Sequence, residues 1–556
     1  MSRRITRREF IKYGAAVLGS ATLVNGALYS LLSQGTGIAR VADETFRTPL
    51  RFAPFTQARR IAPADDQEFR TPIRFTPFTQ ALPIPPVKQP GDSFTHRCAL
   101  PAVSGLSAPK FYTVQMKKAT AEIIPGHPET VIWGYDGLYP GPTFRVNHNE
   151  PAIVRFVNGL TVNTIVHNHG GHNSSESDGS DSVFPSQVIP PNESRDFCYG
   201  NIAPINPATH QQEISDFAST QWYHDHMMDL TGQNVYMGLA GFYLLTDELE
   251  KGLIDGGTLP ADSFNIPLVF QDRVFDQNAQ LVFNPGQDEF NGWLGDVFVV
   301  NGKAQPYFNV QRRKYRFRML NGSNARWYEL QLSSGQFLQI GNDSWLLPFA
   351  IPRTSIRLAL AERADVIIDF RDAPNEVFLN NILEQREGAT PSGVTKPGTP
   401  LLKFIVSGSP VSNDASVVSG TTLRPHTPIR PEEIVQTRRF VFAQDHHWVI
   451  NDREFDPRRN DATPKSNTAE RWIFKNDGGD WSHPIHPHLE AHQIQKINGR
   501  APPVYNSFKK DTTPLGPDDE AEVFIKFRTF TGRYVFHCHN LEHEDHAMMA
   551  AFEVLP

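Results

Sequence analysis

The sequence reads as an all-β chain of several sandwich domains, and three observations carry that reading. Short runs of β-branched and aromatic residues with period-two alternation recur from about Phe111 onward, the pattern of strands buried on one face. Turn formers separate the runs: 39 Gly and 44 Pro in 556 residues exceed the roughly 12% share usual for globular proteins. The length suggests about three domains at roughly 150 residues each. No stretch suggests a long helical domain.

The first 40 residues stand apart from the fold. Thr6-Arg7-Arg8-Glu9-Phe10-Ile11-Lys12, followed by an apolar stretch from Tyr13 to Leu32, resembles a twin-arginine export signal. The expectation is an exported protein, periplasmic or on the cell surface, handled by the twin-arginine machinery. Left uncleaved, the same stretch is nearly long enough to serve as a membrane anchor. Removing residues 1–40, with six basic residues and one acid, takes the formal charge from −7 to −12. An acidic mature chain argues against nucleic acid or an anionic membrane surface as partner. The protein is expected to act as a monomer.

Residues 41–90 read as an extended Pro-rich arm. Phe46–Ala58 recurs 23 residues later as Phe69–Ala81, and two copies are too few for repeats that bury one another. Residues 91–250 hold runs such as Ile153–Val157 and Leu239–Leu245 and form the first sandwich. Residues 251–410 form the second, with Pro267–Phe270, Phe298–Val300, Tyr315–Leu320 and Val366–Phe370. Gly/Pro/Ser/Thr-rich passages at Gly388–Pro400 and Ser407–Pro431 lead to the third. It spans 411–556 and includes Trp472–Phe474, Glu522–Phe527 and the run entering Phe536. Cys98 and Cys198 are either a disulfide, as suits an oxidising compartment, or two buried thiols.

The chemistry concentrates in His537-Cys538-His539, with His543, Glu544 and Met548 after it. Tyr534, Val535 and Phe536 run into this segment as strand formers, so alternation puts Cys538 on one face and both flanking histidines on the other. A thiolate, two imidazoles and a distant thioether are the ligands of a blue-copper centre. Cys538, His543 and Met548 supply three of the four, and the remaining imidazole must come from elsewhere. His537 and His539 then belong to a second metal site joined to the first by covalent bonds. Three more windows carry His-x-His pairs: His167-Asn-His169, His224-Asp-His226 and His486-Pro-His488, the last preceded by His483. In a strand that spacing puts both rings on one face. One such pair is weak evidence, but ten of the chain's twenty histidines fall in these four windows. Zinc does not fit, because a structural zinc site takes only four ligands and one thiolate with a Met is not its pattern. His172, His446, His447, His492 and His546 lack such partners and read as solvated or hydrogen-bonded.

In order and spacing the four windows resemble the copper motifs of the multicopper oxidases, from about Phe111 to the C-terminus. Within that family the chain looks most like bacterial laccases of the spore coat protein A type and their bilirubin oxidase relatives. Val300–Lys303, Tyr315–Arg318 and Ala361–Ile368 add to the likeness. The resemblance implies three cupredoxin-like Greek-key β-sandwich domains and four copper ions. His483, Cys538, His543 and Met548 match the type 1 site, and His167 and His486 match type 2. His169, His224, His226, His488, His537 and His539 match the type 3 pair. Asp178 and Glu544 match acids thought to deliver protons to dioxygen, and a hydrogen-bonding role beside the ligands is the plainer reading of both. The chain departs from the family's pattern at Pro487, between two matched ligands, and at His546.

The implied activity is laccase-like: one-electron oxidation of a small phenol or aromatic amine, coupled to four-electron reduction of dioxygen to water. Bilirubin, Mn(II) and Cu(I) are the alternative reductants on the same sites. The chain's eight methionines form no Met-rich segment of the kind soft Cu(I) would favour. A copper-free structural protein is the non-enzymatic alternative, opposed by the presence of every matched ligand. A two-domain copper nitrite reductase would not need four His-x-His windows.

Overall fold

The computed structural model describes residues 70–283, 292–385, 388–445 and 447–556. The twin-arginine and apolar stretches, the first copy of the duplicated run (Phe46–Ala58) and His446 lie outside the described residues. Among the described residues the strands pair into six sheets, which fall two by two around three apolar cores in chain order.

The first pair uses strands between Lys110 and Thr246 and encloses Val114, Phe144, Phe156, Phe197 and Tyr223. Lys110–Ala121 alternates buried and exposed positions along its middle, as a strand with one face on a core must. It pairs antiparallel with Thr130–Tyr135 and parallel with Ala152–Asn158. Between those two partners the chain crosses to the opposite sheet as Phe144–Asn147, the crossing that makes a sandwich rather than a meander. The second pair, of seven and five strands, closes on Phe317, Met319, Val366, Leu402 and Phe404. The third, of six and four strands, closes on Phe440, Trp472, Phe474, Phe536 and Phe552.

The second copy of the duplicated run, from Arg70 on, lies along the second sandwich. Phe78 N–H donates to Gln305 O at 2.8 Å, its ring meets Phe378 edge-on, and Leu82 enters the second core. Further on, Val87 bridges to Thr143 and Gly91 to Phe111, so the arm fastens the second sandwich to the first. Cys98 and Cys198 form a disulfide, and the remaining cysteine, Cys538, is buried and free.

Buried charges join the sandwiches elsewhere. Glu250, on the helix Glu248–Asp255, accepts hydrogen bonds from Arg316 and Arg318 of the second sandwich at 2.6 and 2.7 Å. Asp216 of the first takes Arg528 of the third at 2.7 Å and also pairs with Lys509. Each charge is compensated, as a buried charge must be.

Candidate metal centre

Four short strands bring the sequence windows together: Val166–His169, Thr220–Asp225, His483–Pro487 and Gly532–Cys538. Nearly all of their residues are buried on both faces, because each strand lies between a sandwich core and the junction of the first and third sandwiches. Antiparallel pairing sets His167 opposite His224, and His486 opposite His537. Residues directly opposite share a face, so each strand pair presents its histidines in one direction. Ile485 and Cys538 are opposite each other on the reverse face, where His483 also belongs, two residues from Ile485. The ladder continues past the strand ends: His488 N–H donates to Val535 O and His539 N–H to Pro484 O.

On that reverse face three donor atoms converge. His483 Nδ1 lies 3.4 Å from Cys538 Sγ, Cys538 Sγ lies 3.6 Å from His543 Nδ1, and the two Nδ1 atoms are 3.2 Å apart. Such spacing suits atoms sharing one first-row metal ion with bonds of about 2.0–2.3 Å. His543 sits on the short helix Leu541–Asp545, whose start is capped by Asn540. Met548 is buried, and its backbone is tied to two donors: it accepts from Cys538 N–H at 3.0 Å and donates to His543 O at 2.9 Å. Trp448 packs against both imidazoles, with centroids 5.3 and 4.0 Å away. Burial pushes the Cys538 thiol up and holds His483 down at about 3. The thiolate therefore needs a bound cation, which deprotonates a coordinating thiol outright.

On the other face eight imidazoles divide into three groups. His226, His488 and His537 converge through Nε2, with His537 3.2 Å from each of the others. His167 and His486 face each other through Nε2 at 3.5 Å. His169, His224 and His539 have ring centroids 5.0 to 5.9 Å apart. Nδ1 of His169, Nε2 of His224 and both ring nitrogens of His539 are buried without a hydrogen-bond partner, an expensive arrangement unless something binds there. Burial first, then the neighbouring rings, hold His167, His169, His488 and His539 far below their usual range. Neutral imidazoles with converging lone pairs are metal ligands in waiting, and the residues fit a metal cluster.

Asp178 and Glu544 hold the far sides of these rings. Asp178 Oδ2 accepts from His488 Nδ1 at 2.7 Å, and its carbonyl accepts from His167 Nδ1 at 2.6 Å. Glu544 Oε2 lies 3.1 Å from His537 Nδ1 and Oε1 lies 3.4 Å from His226 Nδ1. Burial pushes the Asp178 carboxyl well up. Burial also acts upward on Glu544, but His226 and His537 outweigh it and hold that carboxyl at about 2.

Two acids went unread in the sequence. Asp225, inside the His224-Asp-His226 motif, accepts from the N–H groups of Ile165 and Met227 and from Asn234. Its place between two ligands was the available signal. Asp511 touches His169 and His486 but lies in no window, and nothing local marks it. The set-aside histidines behave as expected where described: His492 meets Thr513 Oγ1 at 2.6 Å and His546 meets Glu542 O at 2.7 Å, and His447 is exposed.

Fold and site together define a protein that suspends one thiolate–imidazole centre beside an all-imidazole cluster, with two neighbouring strands shared between them. Models of multicopper oxidases match residues 115–250 and 426–556. The chain is 34% identical to a bilirubin oxidase of Albifimbria verrucaria over 491 residues, covering 85% of this chain and 80% of that one. It is 32% identical to a laccase of Bacillus subtilis over 509 residues, covering 80% and 94%. A crystal structure of a laccase from Pediococcus acidilactici matches with a TM-score of 0.72 at 27% identity, over 88% of this chain and 95% of that one. The chain belongs to the multicopper oxidase family. It is a copper-dependent oxidoreductase that uses dioxygen as acceptor.

Proposed function

We propose that the chain holds four coppers and works as a laccase on small phenols or aromatic amines. The observation that carries this reading is the division of donors by one strand, Cys538 to one side and His537 and His539 to the other. His483, Cys538, His543 and Met548 would hold a type 1 copper, and His167 with His486 a type 2. His226, His488 and His537 would hold one member of the type 3 pair, and His169, His224 and His539 the other. When bound, copper supplies the one-electron and dioxygen chemistry. The chain contributes the wiring: from Cys538 Sγ, backbone bonds alone lead to His537 and His539. Asp178 and Glu544 orient His488, His537 and His226 and are placed to carry protons toward the cluster.

The reductant site lies beside His483. A cleft of about 400 Å³ is lined by Trp327, Leu383, Val394, Ser482 and Pro514, with Arg357 and Asp519 among its polar groups. Apolar walls with a few polar groups suit an aromatic ring bearing hydroxyl or amino substituents. Ser482 directly precedes His483, whose Nε2 is buried without a hydrogen-bond partner. A side chain at position 478 would press on that atom, 2.9 Å from where a Cβ would stand, and Gly478 leaves the edge clear. Bilirubin, named for one relative, is a second aromatic reductant for this cleft. For location we propose export through the twin-arginine route, supported by the Arg7-Arg8 motif and by a disulfide suited to an oxidising compartment.

Four outcomes are expected. In Cys538→Ser the hydroxyl is a poor copper ligand, so the blue colour and one copper are lost while cluster copper remains and turnover falls to background. Asp178→Asn and Glu544→Gln stay blue but are reoxidised by dioxygen more slowly. Copper analysis, absorption and paramagnetic resonance check both, and a blue Cys538→Ser, loss of all copper at once, or wild-type reoxidation in both acid variants contradicts the assignments. In steady-state assays of the copper-loaded enzyme, a phenol turns over faster than Mn(II) or Cu(I), and the reverse order rules out the aromatic reading. Replacing Arg7 and Arg8 with Lys retains the protein in the cytoplasm, as fractionation reveals; unchanged export argues for another route.

A further inference from the structure

The second sandwich supplies none of the candidate ligands, yet it reaches the cluster through one residue. Asp511 belongs to the third sandwich, just after the strand Lys509–Lys510, and is buried. Its Oδ1 accepts from His169 Nε2 at 3.2 Å and its backbone carbonyl accepts from His486 Nδ1 at 2.7 Å. A histidine that donates one ring N–H offers only the other nitrogen as a lone pair. Asp511 therefore leaves His169 with Nδ1 and His486 with Nε2. Nδ1 of His169 is the nitrogen without a hydrogen-bond partner, and Nε2 of His486 is the one facing His167.

Asp511 is itself held from the second sandwich. Arg363 grips the carboxylate with both terminal nitrogens, Nη1 to Oδ1 at 2.7 Å and Nη2 to Oδ2. Ser344 Oγ adds a bond to Oδ2 at 3.2 Å, and Asp343 accepts from the N–H groups of Asp511 and Thr512 at 3.1 and 3.2 Å. The first sandwich closes in at Gly170, where an added Cβ would meet Ser344 Oγ at 2.1 Å and Asp511 Oδ2 at 2.8 Å. A planar guanidinium matched to a carboxylate fixes orientation as well as position.

We propose that Asp511, locked by Arg363, is a positioning residue that selects the nitrogen His169 and His486 present to the cluster, and that this is how the ligand-free second sandwich takes part in copper binding. The inference rests on the reading of the eight imidazoles as a copper cluster. Because the backbone carbonyl survives any side-chain change, the effect of a substitution falls first on His169.

The test uses full-length copper-loaded protein, with wild type beside Asp511→Asn, Asp511→Ala and Arg363→Lys. Asp511→Ala frees His169 to rotate or change tautomer, so copper held with His224 and His539 binds about tenfold or more weakly, the usual loss when a ligand's own partner is removed. Asp511→Asn keeps an acceptor for His169 and loses less. Arg363→Lys keeps the charge without the fork and falls between wild type and Asp511→Ala. In all three the blue absorption of the Cys538 centre is unchanged. Cluster copper content and paramagnetic resonance within twofold of wild type in Asp511→Ala would overturn the proposal. So would loss of blue and cluster copper in parallel, which marks a merely structural role. If Asp511→Ala does not fold, Arg363→Lys and Asp511→Asn carry the comparison by the same criteria. A wild-type protein that takes up no cluster copper would refute the copper reading itself and is distinguishable from failure of the clamp.

Discussion

Everything in this molecule depends on the alternation of one buried strand. Gly532–Cys538 runs between the core of the third sandwich and the junction with the first, so from Tyr534 onward neither of its faces reaches solvent. Alternation turns that position into a partition. Cys538 faces the third core with His483 and His543, while His537 and His539 face histidines of the first sandwich. Two metal centres of different chemistry can then sit within a few covalent bonds of each other without sharing a ligand. The neighbouring strand His483–Pro487 repeats the division, with His483 on one side and His486 and His488 on the other.

Holding buried imidazoles in place requires a rigid frame, and the frame is charged. Glu250 with Arg316 and Arg318, Asp216 with Arg528, and Asp511 with Arg363 each cross a boundary between sandwiches. Removing one partner of such a pair strands a buried charge and costs about 3–5 kcal/mol. Their value here is orientation. The Arg363 fork reaches from a sandwich with no candidate ligand to an acid that touches two of them. That arrangement gives the second sandwich a reason to be present beyond spacing the other two.

The fold class was legible because period-two alternation and turn residues are local signals, and Lys110–Ala121 has the one-sided burial its sequence implies. The donors were legible because His-x-His and His-Cys-His are short motifs whose spacing has one meaning in a strand. Their grouping came only from the family likeness, since each group draws rings from strands far apart in sequence, His167 with His486 and His226 with His488 and His537. Asp511 was hidden for a similar reason: its neighbours His169 and Arg363 are distant in sequence, and the adjacent Thr512 that also bonds it marks no site. The arm's Pro-rich composition implies an extended segment, but its seat on Gln305 and Phe378 is a tertiary fact with no local mark.

Whether one strand serves two metal centres is decided by locating copper in the loaded protein through anomalous scattering at the copper absorption edge. One peak is expected enclosed by His483, Cys538 and His543, and three more among the eight imidazoles on the far side of the strand, one beside each group of donors. Peaks on one side only, or a peak that draws Cys538 and His537 to the same ion, would contradict it.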